Sequence, residues 1–205
     1  MIESAEQMTN QPPHLIVVGG PNGAGKSTFV RKALESEGRL YLCADEAAFE
    51  LCPDDPESVA AAAGRLFLER IRDALEKRID VIVESTLSGK SFRRTVQSYA
   101  KAGYQIDMIF VTPLDCSDSV ARVARRVQKG GHHVPEHDIR RRFVRSHSNF
   151  WEIYRHLVNG GWSVFHNESD VGANGIAEGS PEGVTVLDDV SFERFLHFCY
   201  AIETR

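Results

Sequence analysis

His14-Leu15-Ile16-Val17-Val18-Gly19-Gly20-Pro21-Asn22-Gly23-Ala24-Gly25-Lys26-Ser27-Thr28 decides the fold. Its first six residues are an apolar, β-branched run of the kind that forms a strand buried on both faces of a parallel sheet. From Lys26 onward, Phe29, Val30, Ala33 and Leu34 fall on one helical face, and Gly38 is the expected helix end. Between strand and helix, Gly20, Gly25, Lys26 and Ser27 match G-x-x-x-x-G-K-[ST] in the context that this phosphate-binding motif requires. The reading assigns Gly20, Pro21, Asn22, Gly23, Ala24, Gly25, Lys26, Ser27 and Thr28 to a nucleotide site. Glycines let backbone N–H groups turn toward phosphates, and the helix points its positive end at them. Lys26 is expected at the β- and γ-phosphates and Ser27 on Mg²⁺, so ATP and Mg²⁺ are the implied cofactors.

The rest of the chain alternates. Leu40 to Cys43, Val81 to Val83, Gln105 to Thr112 and Trp162 to His166 read as strands. Helical patterns fill about 57–78, from about Lys90, 117–129, 136–159 and from about Ser191. This order implies an α/β fold, a doubly wound parallel sheet with ligands beyond the strands' carboxyl ends. Residues 1–13 read as a flexible N-terminus, 14–205 as a single domain, and 168–183 as a Gly- and acid-rich loop.

Composition narrows the class. In 205 residues, 42% hydrophobic and 26% charged, there is material for an ordinary core, and a net charge of −5 argues against wholesale nucleic-acid binding. No apolar run is long enough for a membrane span. The start lacks a basic, apolar leader, and four scattered cysteines form no CxxC pair. The reading is therefore a cytoplasmic protein with reduced thiols.

Motifs downstream separate the phosphate-loop classes. No Asn-Lys-x-Asp segment supports a regulatory GTPase. Leu87-Ser88-Gly89 only superficially matches the LSGGQ signature of ABC ATPases, since Lys90 replaces the second glycine. A kinase needs a base, an acceptor pocket and cations over the moving phosphate. Asp45, at the end of the second strand, is the candidate base. Glu84, Ser85 and Thr86, at the end of the third, are candidates for the acceptor or a metal-bound water. Seven of the eighteen arginines lie between 122 and 145, in two helical clusters flanking Gly130-Gly131. That is the pattern of a lid over about 122–145, with Arg122 and Arg126 on one helix face and Arg141 and Arg142 across the hinge. His132, His133 and His137 fit contacts to anionic ligands better than a metal site.

Together these stretches resemble the zeta toxin family of P-loop kinases, particularly its shorter bacterial members. The resemblance rests on Gly20 to Thr28, Ala44-Asp45-Glu46, Glu84 to Gly89 and Arg126 to Pro135 followed by Ile139 to Asn149. It implies a nucleoside- or adenylate-kinase-like fold that transfers the γ-phosphate of ATP to the 3′-hydroxyl of UDP-N-acetylglucosamine. A small antitoxin is the implied protein partner. By position, Lys26 is the phosphate lysine and Asp45 the base. Glu84 becomes a substrate or metal-shell carboxylate, with Ser85, Thr86 and His133 toward the substrate. Arg126 with Arg141 or Arg142 supplies the lid arginines, and Arg122 joins them at the nucleotide. Asn167 is matched where family members place adenine, although His166 stands where an Asp is usual. Another sugar nucleotide, an amino sugar, a nucleoside or an antibiotic remains an alternative acceptor, and an acceptor-free ATPase an alternative class.

Overall fold

The structure, a computed structural model, describes residues 11–34, 38–131, 133–168 and 172–201. In chain order the elements are β1 (His14–Gly19), α1 (Lys26–Ala33), β2 (Leu40–Leu42), α2 (Ala44–Leu51) and α3 (Ala60–Glu76). Then follow β3 (Val81–Ser85), α4 (Arg93–Lys101), β4 (Gln105–Thr112), α5 (Cys116–Gln128) and α6 (Glu136–Glu152). A 3₁₀ turn at Tyr154–His156, β5 (Trp162–Glu168), β6 (Gly172–Ser180), β7 (Gly183–Val186) and α7 (Asp189–Cys199) complete the described chain.

All seven strands form one sheet in the order β2-β3-β1-β4-β5-β6-β7. β1 lies between β3 and β4, parallel to both, with Val17 opposite Val83 and Met108. Its residues Leu15, Val17 and Val18 have no exposed surface, as the apolar run dictates for a central strand. Because successive strands add first on one side of β1 and then on the other, the carboxyl end of β1 is the switch point where α/β sheets bind ligands. Both faces are covered. α1 packs Val30 on Ile16, Val18 and Ile82, while α3, α4, α6 and α7 pack Ile71, Tyr99, Phe150 and Phe195 on Val17, Val83 and Phe110.

The sequence expectations need four corrections. The parallel sheet extends only to β5; β6 and β7 add antiparallel, so most of the expected loop 168–183 is strand. Glycines hid it, and the strand depends on them. A Cβ on Gly179 would lie 2.4 Å from the Trp162 ring, and one on Gly175 2.9 Å from Leu187. Close approach of this kind is the usual reason for glycine inside a strand. α1 ends at Ala33 with Leu34 as its C-cap rather than at Gly38. α4 begins at Arg93, not near Lys90. The helix expected over 136–159 stops at Glu152 and tightens to 3₁₀. Residues 1–10 of the expected N-terminal segment, and His132, lie outside the described residues. No described helix is long and apolar enough to cross a membrane. All four cysteines are free, with Cys43 and Cys199 buried.

Candidate active site

The turn after β1 folds around glycines that no other residue could replace without strain. Gly25 has φ +87, and a Cβ there would lie 2.0 Å from the Asn167 side-chain amide. Gly20 has φ +144, and its Cβ would lie 2.1 Å from the Val111 carbonyl of β4. α1 begins immediately at Lys26 with no side-chain cap and no acidic residue in its first turn. Its leading N–H groups are therefore left for an anion, and the helix dipole favours one.

Lys26 is 7% exposed, and its ammonium donates to the Pro21 carbonyl at 3.1 Å and lies 3.7 Å from Glu84. Glu84, near the end of β3, is the hub on the opposite wall. Its Oε2 accepts from Ser27 Oγ at 2.8 Å and from the Tyr41 hydroxyl at 2.6 Å. Burial and the Glu84 carboxylate push the Tyr41 phenol well above its ordinary range, so it stays a donor. Among the described residues, no group of three or more His, Cys, Asp or Glu side chains can hold a metal. The Ser27 hydroxyl and Glu84 carboxylate nevertheless suit Mg²⁺, which binds through one or two protein oxygens and takes the remainder from phosphates and water.

Asp45 is in the first turn of α2, whose N-cap is Cys43, so it is free of capping duty. Its carboxylate is 61% exposed and lies 3.8 Å from the Arg126 guanidinium. Cys43 beside it is no nucleophile: burial and the Glu84 charge push its thiol up to about 11. On β5, Asn167 donates to the Ala24 carbonyl at 3.1 Å, tying that strand to the glycine turn.

These groups surround one cavity of about 790 Å³. It is lined by Asn22, Gly23, Gly25, Ser27 and Thr28 on one side and by Asp45, Ser85 and Thr86 on the other. Gly20, Pro21 and Ala24 shape the turn behind it. Arg122, Arg126 and Arg142 line it too; Arg142 lies 3.5 Å from Asn22 Oδ1, and Arg122 is steadied by Asp118 at 2.8 Å. Arg141 and His133 do not line it. Arg141 pairs with Asp138 at 2.7 Å, and the His133 amide donates to Glu57. The sequence reading missed Arg125 and Lys129, which line the cavity and follow Arg122 at the helical spacings i+3 and i+7, a signal that was present. It also missed Arg31, Lys32 and Phe67, which line the cavity, and Tyr41, which joins the site through Glu84. Eight cationic side chains face two carboxylates here in a chain of net charge −5. Such focusing of positive potential is the mark of a site for highly charged anions.

A central parallel strand, a glycine turn and a helix opening on a lysine and a hydroxyl define a P-loop nucleoside-triphosphate fold. The family model of the AAA domain matches residues 15–144, more than half of the chain, and the chain belongs to that family. An uncharacterized protein of Haemophilus influenzae (strain ATCC 51907 / DSM 11121 / KW20 / Rd) is 27% identical over 124 residues, which are 60% of this chain and 88% of that protein. Among solved structures, a chain of the AvrRxo1-ORF1:AvrRxo1-ORF2 complex with sulphate ions is similar over 96% of this chain and 67% of its own, at TM-score 0.72 and 14% identity. The ATP-bound form of that complex gives the same TM-score, 0.72. A chain from the PezAT chromosomal toxin-antitoxin system of Streptococcus pneumoniae is similar over 98% of this chain and 84% of its own, at TM-score 0.63 and 17% identity. At these identities the structural matches establish a shared fold.

Proposed function

We propose that the protein is an ATP-Mg-dependent small-molecule kinase with Asp45 as its general base. One observation carries the reading: a carboxylate and an arginine, 3.8 Å apart, face the same cavity as the phosphate turn and the Ser27–Glu84 pair. An ATPase needs only water at the γ-phosphate, whereas this cavity of about 790 Å³ extends past Asp45 to Ser85, Thr86 and Phe67. That space suits an acceptor molecule.

In the proposed reaction Lys26 and the N–H groups of the turn hold the β- and γ-phosphates. Ser27 and Glu84 are the residues that would hold Mg²⁺ arriving with ATP, which would neutralise phosphate charge. Asp45 accepts the acceptor's hydroxyl proton as that oxygen bonds to the γ-phosphorus. The bond from phosphorus to the β–γ bridging oxygen breaks, and ADP leaves with the electron pair. Arg126 and Arg142 stabilise charge spread over the transferring group. Residues 122–145 act as the lid, with Arg122 and Asn167 on the nucleotide side.

The acceptor we propose is the 3′-hydroxyl of UDP-N-acetylglucosamine. Two things support it: the zeta-toxin-like motifs and the likeness to a chain of a toxin-antitoxin system. Both that chain's system and the AvrRxo1 complex pair two proteins, and a small inhibitory protein is the partner this reading implies here. The base assignment is tested by Asp45→Asn, which should leave ATP affinity unchanged while turnover drops about a hundredfold or more, in the usual range for general acid–base groups. Undiminished turnover would remove Asp45 from the mechanism.

A further inference from the structure

Among the described residues only Arg78 and Leu87 are non-glycine residues with positive φ, and Leu87, at φ 54, lies three residues beyond Glu84. A buried side chain persists in that region only where its surroundings over-determine it, and such strain concentrates at functional sites. Within the turn Thr86 Oγ1 bonds Ser88 Oγ at 2.9 Å, and four further contacts hold it. The Asn149 side-chain amide donates to the Leu87 carbonyl at 2.9 Å, and the Leu87 N–H donates to Ser85 Oγ at 3.2 Å. Tyr154 donates to the Gly89 carbonyl. The Leu87 side chain fills the space beside Gly19, where an added Cβ would meet it at 2.3 Å. The turn is thus clamped between the end of β1 and the C-terminal half of α6 with the 3₁₀ turn that follows it, while Ser85 and Thr86 line the cavity.

Asn149 is 5% exposed and is not among the residues lining the cavity. It follows Arg142 by seven residues, about two helical turns along one face of α6. One helix therefore carries a cavity-lining cation in its first half and the anchor of the Ser85–Thr86 turn near its end. We propose that Asn149 is a positioning residue for the acceptor: by holding Leu87 left-handed it fixes the direction in which Ser85 and Thr86 present their hydroxyls. Without that hydrogen bond Leu87 is released toward the ordinary negative-φ region, and the two hydroxyls turn with it. The inference rests on the kinase reading above for its consequence, but not for its geometry.

The test compares wild type and Asn149→Ala, as the full chain, by two measurements. The first is amide hydrogen exchange. Protection of Leu87 and Ser88 should fall about tenfold in the variant while the amides of residues 20–27 keep theirs, since local openings are separable in this way. Unchanged exchange at Leu87 and Ser88, or equal loosening of residues 20–27, would overturn the inference. The second is steady-state kinetics with ATP and UDP-N-acetylglucosamine. KM for the acceptor should rise about tenfold, equivalent to about 1.4 kcal/mol, with KM for ATP within about twofold of wild type. Parallel rises in both, as a merely structural role would give, or no rise in either, would contradict it. If the wild type phosphorylates no UDP-N-acetylglucosamine, the acceptor assignment fails instead, and the exchange result alone decides the role of Asn149. Should Asn149→Ala not fold, Tyr154→Phe, which removes only the hydroxyl on Gly89, is measured by the same exchange and kinetic criteria, extended to the Gly89 amide.

Discussion

Replacing Gly25 by alanine strikes the glycine turn at its tightest point. The φ of +87 costs an L-residue about 1–2 kcal/mol. The added Cβ would stand 2.0 Å from Asn167 Nδ2, so that amide must leave the Ala24 carbonyl it now reaches at 3.1 Å. A lost intramolecular hydrogen bond adds about 1 kcal/mol, for about 2–3 kcal/mol in all. For a domain of this size that lowers Tm by roughly 4–12 °C. The two parts are separable by a double-mutant cycle read by thermal or urea denaturation. In an Asn167→Ala background the side-chain clash and the hydrogen bond are already gone, so Gly25→Ala should cost only the backbone part, leaving a coupling of about 1 kcal/mol. A Gly25→Ala protein that melts within about 1 °C of wild type would refute the strain argument. Additive effects in the double mutant would refute the claimed contact between turn and β5.

Other perturbations reach different parts of the account. Lys26→Ala should weaken ATP binding about 10- to 150-fold, the range for a charge-assisted hydrogen bond, by calorimetry; unchanged affinity would place the phosphates elsewhere. Glu84→Gln should raise the Mg²⁺ concentration needed for half-maximal nucleotide binding about 10- to 100-fold, with Tyr41→Phe a weaker version of the same shift. Identical Mg²⁺ titrations would dissociate Glu84 from the metal. Burial drives His147 down to about 4 from its ordinary value of 6.5, while its ring bonds Thr112 Oγ1 and the Phe143 carbonyl. Its folded pKa is the lower one, so the unfolded chain takes up the proton first. The contribution is whole above about pH 6.5 and is lost as pH falls toward 4, on the order of 3 kcal/mol in total. His147→Gln, which cannot titrate, should show a shallower fall of stability between pH 6.5 and 4.5 in denaturant titrations; parallel curves would exclude His147 as the source.

The glycine turn was legible because its chemistry is local. Gly20, Gly25, Lys26 and Ser27 are fixed by one strand-to-helix connection, and the apolar runs on either side set the sheet around it. Asp45 and Glu84 were legible as positions because one follows β2 and the other lies at the end of β3, at the same sheet edge. Their environments were not: that Glu84 takes the Tyr41 hydroxyl depends on β2 pairing with β3, a contact between residues 43 apart. β6 escaped notice because Gly-Ala-Asn-Gly-Ile-Ala-Glu-Gly-Ser carries neither β-branched density nor clean alternation, and only its ladder with β5 makes it a strand. Around residues 122–145, arginine density marked the segment, but it could not say which guanidinium turns inward. Asp138 holds Arg141 at 2.7 Å and lies 4.0 Å from Arg142, which also reaches Asn22, and spacing along the chain does not distinguish the two.

Transfer of labelled γ-phosphate from ATP to UDP-N-acetylglucosamine, with wild type, Asp45→Asn and an acceptor-free blank side by side, tests the central claim most directly. The account predicts labelled sugar nucleotide from the wild type and about a hundredfold less or lower from Asp45→Asn at unchanged ATP affinity. Label released only as inorganic phosphate, at the same rate with and without acceptor, would contradict it.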